Sequence, residues 1–331
     1  MALRLVYFGL PLGALLLAAD GHELVLSVLS PVRAPGRRRL KLRAPGPVLE
    51  AAELPPERER EWLLSLAKEP PELIVSWFWT RRLAVPWLEL PTQAALGVHP
   101  SLLPRHRGRD PYFWAIDAGD AETGVSAHLL EPEYDVGALL GAERLAVGER
   151  NAWQLARALD RPSLRLLRSV VRLYADGAPP TPLAQDETAV TLAPEPEGDL
   201  LSVDWNWPSS RVLRRIRALS PVPGLGLEID GVRFQVTAAR PADAFVASLV
   251  PGEAELSQER GLTLRTADGA VVVEQATLGD DEGAERISGS ALVAALCERT
   301  GRSPQLGEVF ARPSDPRKVH DTGIDSNAGG K

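Results

Sequence analysis

The sequence predicts an α/β protein, with a mostly parallel sheet covered by helices in the first half and a small antiparallel barrel or sheet in the second. Two observations carry that reading. Apolar runs of strand length alternate with helical patterns through the first half, as parallel strands joined by helical crossovers require. Beyond a Pro-rich stretch, short strands come in pairs joined by Asp230-Gly231 and Asp268-Gly269, a dipeptide suited to tight hairpin turns.

The elements follow in order. LRLVYFG (Leu3–Gly9) is a buried strand, GALLLAAD a short helix after a Gly/Pro turn, and His22–Leu29 a second buried strand. The same first twenty residues carry a cation, an apolar stretch and an Ala-rich end, as a secretory signal does. A single Arg and the immediate continuation of the fold pattern favour the strand, and with it a cytoplasmic protein. SPVRAPGRRRLKLRAPG then reads as a Pro/Gly-bounded basic loop, and PPEREREWLLSLAKE as a Pro-initiated helix with Trp62, Leu63 and Leu66 on one face. Leu73–Trp79 and Gln93–His99 are buried strands, and DPYFWAIDAGD is a helix with Asp110 as N-cap and Pro at its first position. Thr123–Glu131 reads as a strand alternating in and out, and the long stretch GERNAWQLARALDRPSLRLLRSVVRLYADG as helix interrupted at Pro162. Ala178 to about Gly198 is Pro-rich and poorly periodic, which reads as a linker. SSRVLRRIRALSP opens the second unit with a Ser N-cap and Val212, Ile216 and Leu219 on one side; two hairpins follow. The expected division is therefore 1–177, a linker at 178–203, a second domain at 204–312, and a disordered apolar-poor tail at 313–331.

Composition excludes several classes. With 44% hydrophobic and 24% charged residues and a net charge of −7, the 331-residue chain is not wholesale disordered and can build two cores. No run approaches the roughly 20 apolar residues of a membrane helix. The single cysteine, Cys297, excludes an internal disulfide framework and a multi-cysteine zinc site, and no metal is expected.

Of five histidines, His99 has a reason to be functional. It ends an apolar strand and opens the loop HPSLLPRHRGRDP, and open α/β sheets bind ligands at the carboxyl ends of their strands. An imidazole there can take a proton near neutral pH. Asp135, after another strand end, could orient it.

The string Gly97–Leu140 resembles the formyltransferase family that uses 10-formyltetrahydrofolate, which includes methionyl-tRNA, glycinamide ribonucleotide and amino-sugar N-formyltransferases. The matched features are HPSLLPRHRG, the P-x-x-W-A-I helix, GDAETGV and the final YDVG, with VYFGLP resembling the first-strand turn. VDWNWPSSRVLRRIRALSPVPG is similar to the start of the OB-like C-terminal domain of the methionyl-tRNA subfamily. The resemblance covers about residues 3–295. It implies a Rossmann-like formyltransferase domain, an OB-like β-barrel and 10-formyltetrahydrofolate as cofactor. His99 matches the family His that assists proton transfer and helps hold the oxyanion; Asp135 matches the Asp that positions it. The family Asn, whose amide donates to the oxyanion, is replaced by Gly97. Losing one such donor costs about 10²–10³ in kcat, so two readings follow: a weakened formyl transfer to an amine, or a binding or regulatory protein on the same scaffold. By the same resemblance Trp79, Arg82, Leu83, Glu133 and Tyr134 would line the pterin pocket, although Trp77 and Trp79 would serve equally as core aromatics.

The acceptor is contested by charge. Arg33, Arg37, Arg38, Arg39, Lys41 and Arg43 lie within eleven residues with no acid between them, which suits tRNA phosphates or a solvated loop. Against tRNA, Leu201–Phe310 carries 11 Arg and no Lys against 15 Asp and Glu, whereas a domain that grips RNA backbone should be basic. A small-molecule amine is the other candidate.

Overall fold

The structure, a computed structural model, describes residues 1–279, 285–301 and the backbone of strand Glu308–Phe310. The tail expected at 313–331 lies outside the described residues. Among them, no helix is long and apolar enough to cross a membrane. The chain forms two compact units. The first comprises Met1–Ala115, Ala121–Gly148 and Ala156–Glu195; the second comprises Ile116–Asp120, Glu149–Leu155 and the chain from Pro196.

The first unit is built on β1 (Arg4–Gly9), β2 (Glu23–Leu29), β3 (Val48–Glu50), β4 (Leu73–Trp77), β5 (Ala94–His99), β6 (Glu122–Leu129) and β7 (Leu139–Ala146), in the order β3-β2-β1-β4-β5-β6-β7. The first five are parallel, and β6 and β7 are antiparallel additions. The chain leaves β1 in opposite directions toward β2 and β4, which makes the carboxyl end beside β1 the switch point where such sheets bind ligands. Val6, Phe8, Leu26, Val28, Ile74 and Trp87 form a core against one face. The central strands bear helices, so their residues are buried on both faces rather than alternating. β6 shows this directly: Thr123–His128 are all buried, and the expected in–out alternation belongs to the edge strand β7 instead.

Four local expectations are corrected. The basic loop carries a helix, α2 (Arg37–Arg43), after α1 (Pro11–Ala19). Its seven residues contain no breaker, and fully buried Leu40 anchors it. After α3 (Pro56–Leu66), β4 stops at Trp77 because Phe78 turns into the left-handed region at φ 57. The short α4 (Val85–Glu89), not anticipated, places Trp87 in the core; α5 (Pro111–Ala118) has its Asp110 cap, with Phe113 N–H donating to Asp110 Oδ1 at 3.1 Å. The long helix α6 (Ala152–Ala175) runs through Pro162 without interruption. Proline removes only one backbone donor there, and buried Leu155, Leu159, Leu167, Val170 and Val171 hold the helix on both sides of it.

In the second unit α7 (Ser209–Leu219) buries Val212, Ile216 and Leu219. Pro208, not a serine, sits at its N-cap; Asp268 Oδ1 accepts from Ser209 N–H at 2.8 Å and supplies the missing acceptor. Buried Arg215 pairs with Asp117 (2.7 Å) and donates to the carbonyls of Leu200 and Ser202. The antiparallel sheet follows the order β14-β10-β11-β12-β9-β8, with β13 (Arg286–Ser288) paired to β12. Its strands are β8 (Leu225–Ile229), β9 (Val232–Pro241), β10 (Ala254–Ser257), β11 (Gly261–Arg265), β12 (Ala270–Leu278) and β14 (Glu308–Phe310), and α8 spans Gly289–Thr300. Both Asp-Gly pairs join adjacent antiparallel strands.

Buried His22 accepts the Leu3 N–H at Nδ1 (3.3 Å), and burial pushes its pKa below the ordinary 6.5. The unfolded chain therefore binds more protons just below that value, so stability is full above about pH 6.5 and is lost as pH falls through the depressed folded pKa. Urea unfolding of the wild type should show a midpoint that falls from pH 7 to pH 5. His22→Gln should flatten that decline.

Candidate active site

His99, the last residue of β5, opens into a cavity of about 360 Å³ at the carboxyl ends of β4 and β5. Gly97, His99 and Asp135 line it, as do Trp79, Arg82 and Leu83, and Glu133 and Tyr134. The residues singled out in the sequence are thus gathered around one space. Although only 7% exposed, His99 faces that space and is not sealed in an apolar core.

The hydrogen bonds around His99 fix its tautomer. Its Nε2 lies 2.8 Å from the His106 carbonyl, which can only accept, so Nε2 carries a proton. Nδ1 is the ring nitrogen that faces Asp135 Oδ1, at 3.4 Å. The other carboxylate oxygen, Oδ2, accepts the Gly108 N–H at 2.9 Å. Gly108 has φ 128, and a Cβ there would lie 2.7 Å from the Ala193 carbonyl oxygen, so glycine is required.

Sequence reasoning missed a second imidazole. His128 on β6 pairs directly across from Gly97 on β5, and such pairs share a sheet face. Its Nδ1 donates to the Leu129 carbonyl (2.7 Å), leaving Nε2 3.6 Å from the same Asp135 Oδ1. Burial, the largest influence, pushes the His128 pKa down; the Asp135 carboxylate pulls it up and His99 and Arg107 push it down. Two imidazole nitrogens therefore flank one carboxylate oxygen. A proton held between that oxygen and either ring replaces a lone-pair repulsion with a charge-assisted hydrogen bond. Among the described residues no group of three or more His, Cys, Asp or Glu side chains is arranged to hold a metal ion.

At Gly97 the neighbouring side chains approach closely. A Cβ built there would sit 3.0 Å from Leu130 Cδ2 and 3.5 Å from Ser76 Cβ. The leucine end leans over the position from which an asparagine side chain would extend. Trp79 has a double placement: it packs edge-on to Phe8 (5.2 Å) and lines the cavity, with its buried indole N–H unpartnered among the described residues. Trp77 is a core residue. Arg82 stacks over the Tyr134 ring at 4.7 Å.

The Pro-rich stretch is not a free tether where it passes the site. Leu183 exchanges two backbone hydrogen bonds with Leu139, Thr191 Oγ1 accepts the His106 N–H, and Ala193 N–H donates to the Arg107 carbonyl. Gln185 and Glu187 both accept from the Arg107 guanidinium. Low hydrophobicity hid these roles, which rest on backbone and amide groups that periodicity does not register.

Comparison with known proteins identifies the family. The Formyl transferase domain model matches residues 17–162, and the Formyl transferase, C-terminal domain model matches residues 199–291. A methionyl-tRNA formyltransferase of Anaeromyxobacter dehalogenans (strain 2CP-1 / ATCC BAA-258) is 33% identical over 289 residues, covering 82% of this chain and 90% of that one. The chain belongs to the formyl transferase family. Its fold is shared with HypX from Aquifex aeolicus solved with tetrahydrofolic acid, at a TM-score of 0.62 and 19% identity. That alignment covers 90% of this chain and 48% of HypX, so the chain spans about half of that protein. It is also shared with the N-formyltransferase from Helicobacter canadensis solved with folinic acid and dTDP-3-aminofucose, at a TM-score of 0.64, 12% identity and coverage of 82% and 99%.

The close approach at Gly97 sets a packing test. Gly97→Asn should destabilise the protein by about 1–3 kcal/mol through crowding against Leu130. The cost should shrink in a Leu130→Ala background. Chemical denaturation of the two single variants and the double variant measures the coupling.

Proposed function

We propose that this member of the formyl transferase family moves a formyl group from 10-formyltetrahydrofolate to a primary amine, with chemistry weakened at Gly97. The observation that carries the proposal is the His99–Asp135 pair: 3.4 Å apart, locked by a backbone carbonyl on one side and a backbone N–H on the other, and open to the cavity.

The cavity suits the cofactor by its chemistry. Trp79 and the Arg82–Tyr134 stack offer flat apolar area beside polar groups, as a pterin ring needs. Leu83 and Glu133 belong to the same wall. When bound, the cofactor supplies an activated formyl carbon. The amine must lose a proton as it forms its bond to carbon; Asp135 with the Nδ1 of His99 would receive it, directly or through water, and would pass it to the cofactor nitrogen whose bond to the formyl carbon breaks, so that tetrahydrofolate leaves. A protonated His99 then stabilises negative charge that grows on the formyl oxygen. Gly97 supplies no side-chain donor.

The acceptor is an amine on a small molecule, an aminoacyl conjugate or an aminoacyl-tRNA. The cations of α2 favour a smaller phosphate target than their number suggests, because Arg37 and Lys41 are both paired with Glu50 from β3. Exposed Arg33, Arg38, Arg39 and Arg43 remain available to a tRNA. Leu130 beside Gly97 favours a second reading, a ligand-binding protein that has lost turnover.

Steady-state assays with 10-formyltetrahydrofolate and a panel of primary amines test the proposal by tetrahydrofolate release. Turnover should be lost in His99→Ala. The double variant Gly97→Asn/Leu130→Ala should gain up to about 10²–10³ over wild type, the scale of one restored oxyanion donor, and Gly97→Asn alone should gain less. Cofactor binding without turnover in the wild type and in the double variant would favour the binding protein.

A further inference from the structure

One side chain outside the catalytic constellation determines where the Asp135 carboxylate sits. Asp135 occupies the left-handed backbone region, φ 61, in the loop between β6 and β7. An Asp tolerates that conformation at some cost, so neighbouring contacts must hold it there. Gln185 supplies them. Its Nε2 donates to the carbonyls of Asp135 (2.8 Å) and Gly137 (2.7 Å), on either side of the turn. Its Oε1 accepts from Arg107 Nε (3.1 Å) and Nη2 (2.8 Å). The amide orientation is unambiguous, since two carbonyls can only accept and a guanidinium can only donate. Arg107 precedes Gly108, whose N–H holds Asp135 Oδ2 at 2.9 Å. The contacts thus close a ring: Gln185 to the Asp135 backbone, the Asp135 carboxylate to Gly108, and Arg107 back to Gln185. Arg107, 7% exposed, is further fixed by Glu187 at 2.8 Å.

We propose that Gln185 is a positioning residue that sets the Asp135 carboxylate against His99 by tying the Asp135 turn to the Arg107–Gly108 loop. Its effect on turnover rests on the formyl-transfer reading above; its effect on the carboxylate does not. Gln185→Met removes donors and acceptor together at nearly constant size. Gln185→Glu keeps an acceptor for Arg107 but turns a carboxylate oxygen toward the Asp135 and Gly137 carbonyls.

In both variants kcat should fall about 10–100-fold, the scale of a slightly misplaced reacting group, with KM for the cofactor changed less than about twofold. Two readouts need no substrate. Exchange of the Gly108 amide hydrogen, followed by NMR, should accelerate in both variants as its carboxylate acceptor is released. In Gln185→Met the His128 imidazole should titrate at lower pH than in wild type, because the carboxylate that pulls its pKa up has moved away. Thermal melts identify any variant that fails to fold, and Gln185→Glu, which retains the Arg107 contact, then decides. Wild-type Gly108 exchange and kcat in Gln185→Glu would overturn the proposal, because the amide donors would then be dispensable. Faster Gly108 exchange in the variants of a wild type that turns over no amine would uphold the positioning role and sink the formyl-transfer reading instead.

Discussion

The site depends on the placement of a single carboxylate. Asp135 Oδ2 is pinned by one backbone N–H, and Oδ1 is left between the Nδ1 of His99 and the Nε2 of His128. Each imidazole spends its other nitrogen on a backbone carbonyl. Neither ring can turn the edge that faces this oxygen elsewhere without orphaning a buried donor, at a cost of about 1–3 kcal/mol. The proton inventory of the site is thereby concentrated at one oxygen, and three loops of irregular backbone are needed to keep it there.

That dependence explains what was legible in the sequence. The parallel strands are apolar runs, and the Asp-Gly turns announce themselves by composition, so the α/β-then-antiparallel architecture could be read directly. His99 and Asp135 were legible because the string around them resembles a family motif; Gly97 stood out as a departure from it. What could not be read was pairing. Glu50, from a neighbouring strand, pairs with both Arg37 and Lys41 and offsets one of their two charges, which no count of cations along α2 reveals. His128 was one position on a strand read as alternating in and out until its register opposite Gly97 was fixed by the sheet. Pro162 reads as a helix breaker, yet burial on both sides of it holds α6 straight through.

Leu130 shows a related limit. A glycine in place of an asparagine suggests empty space, and sequence alone cannot say whether neighbours have moved in. Here an aliphatic side chain leans toward the position. With Leu130 Cδ2 only 3.0 Å from where a Cβ at Gly97 would stand, the cavity wall beside Gly97 is aliphatic and closely packed.

The Ala193 carbonyl lies so close to Gly108 that no Cβ could fit between them, and the same segment carries Gln185 and Thr191. A chimera that exchanged the second unit by cutting at residue 177, where the composition turns Pro-rich, would take with it the backbone that braces the His99 loop. Modular reuse of the first unit requires the cut to fall after Glu195, where the compact unit itself ends. The boundary of the transplantable piece is set by hydrogen bonds to the loops around His99 and Asp135, not by the last residue of the last helix.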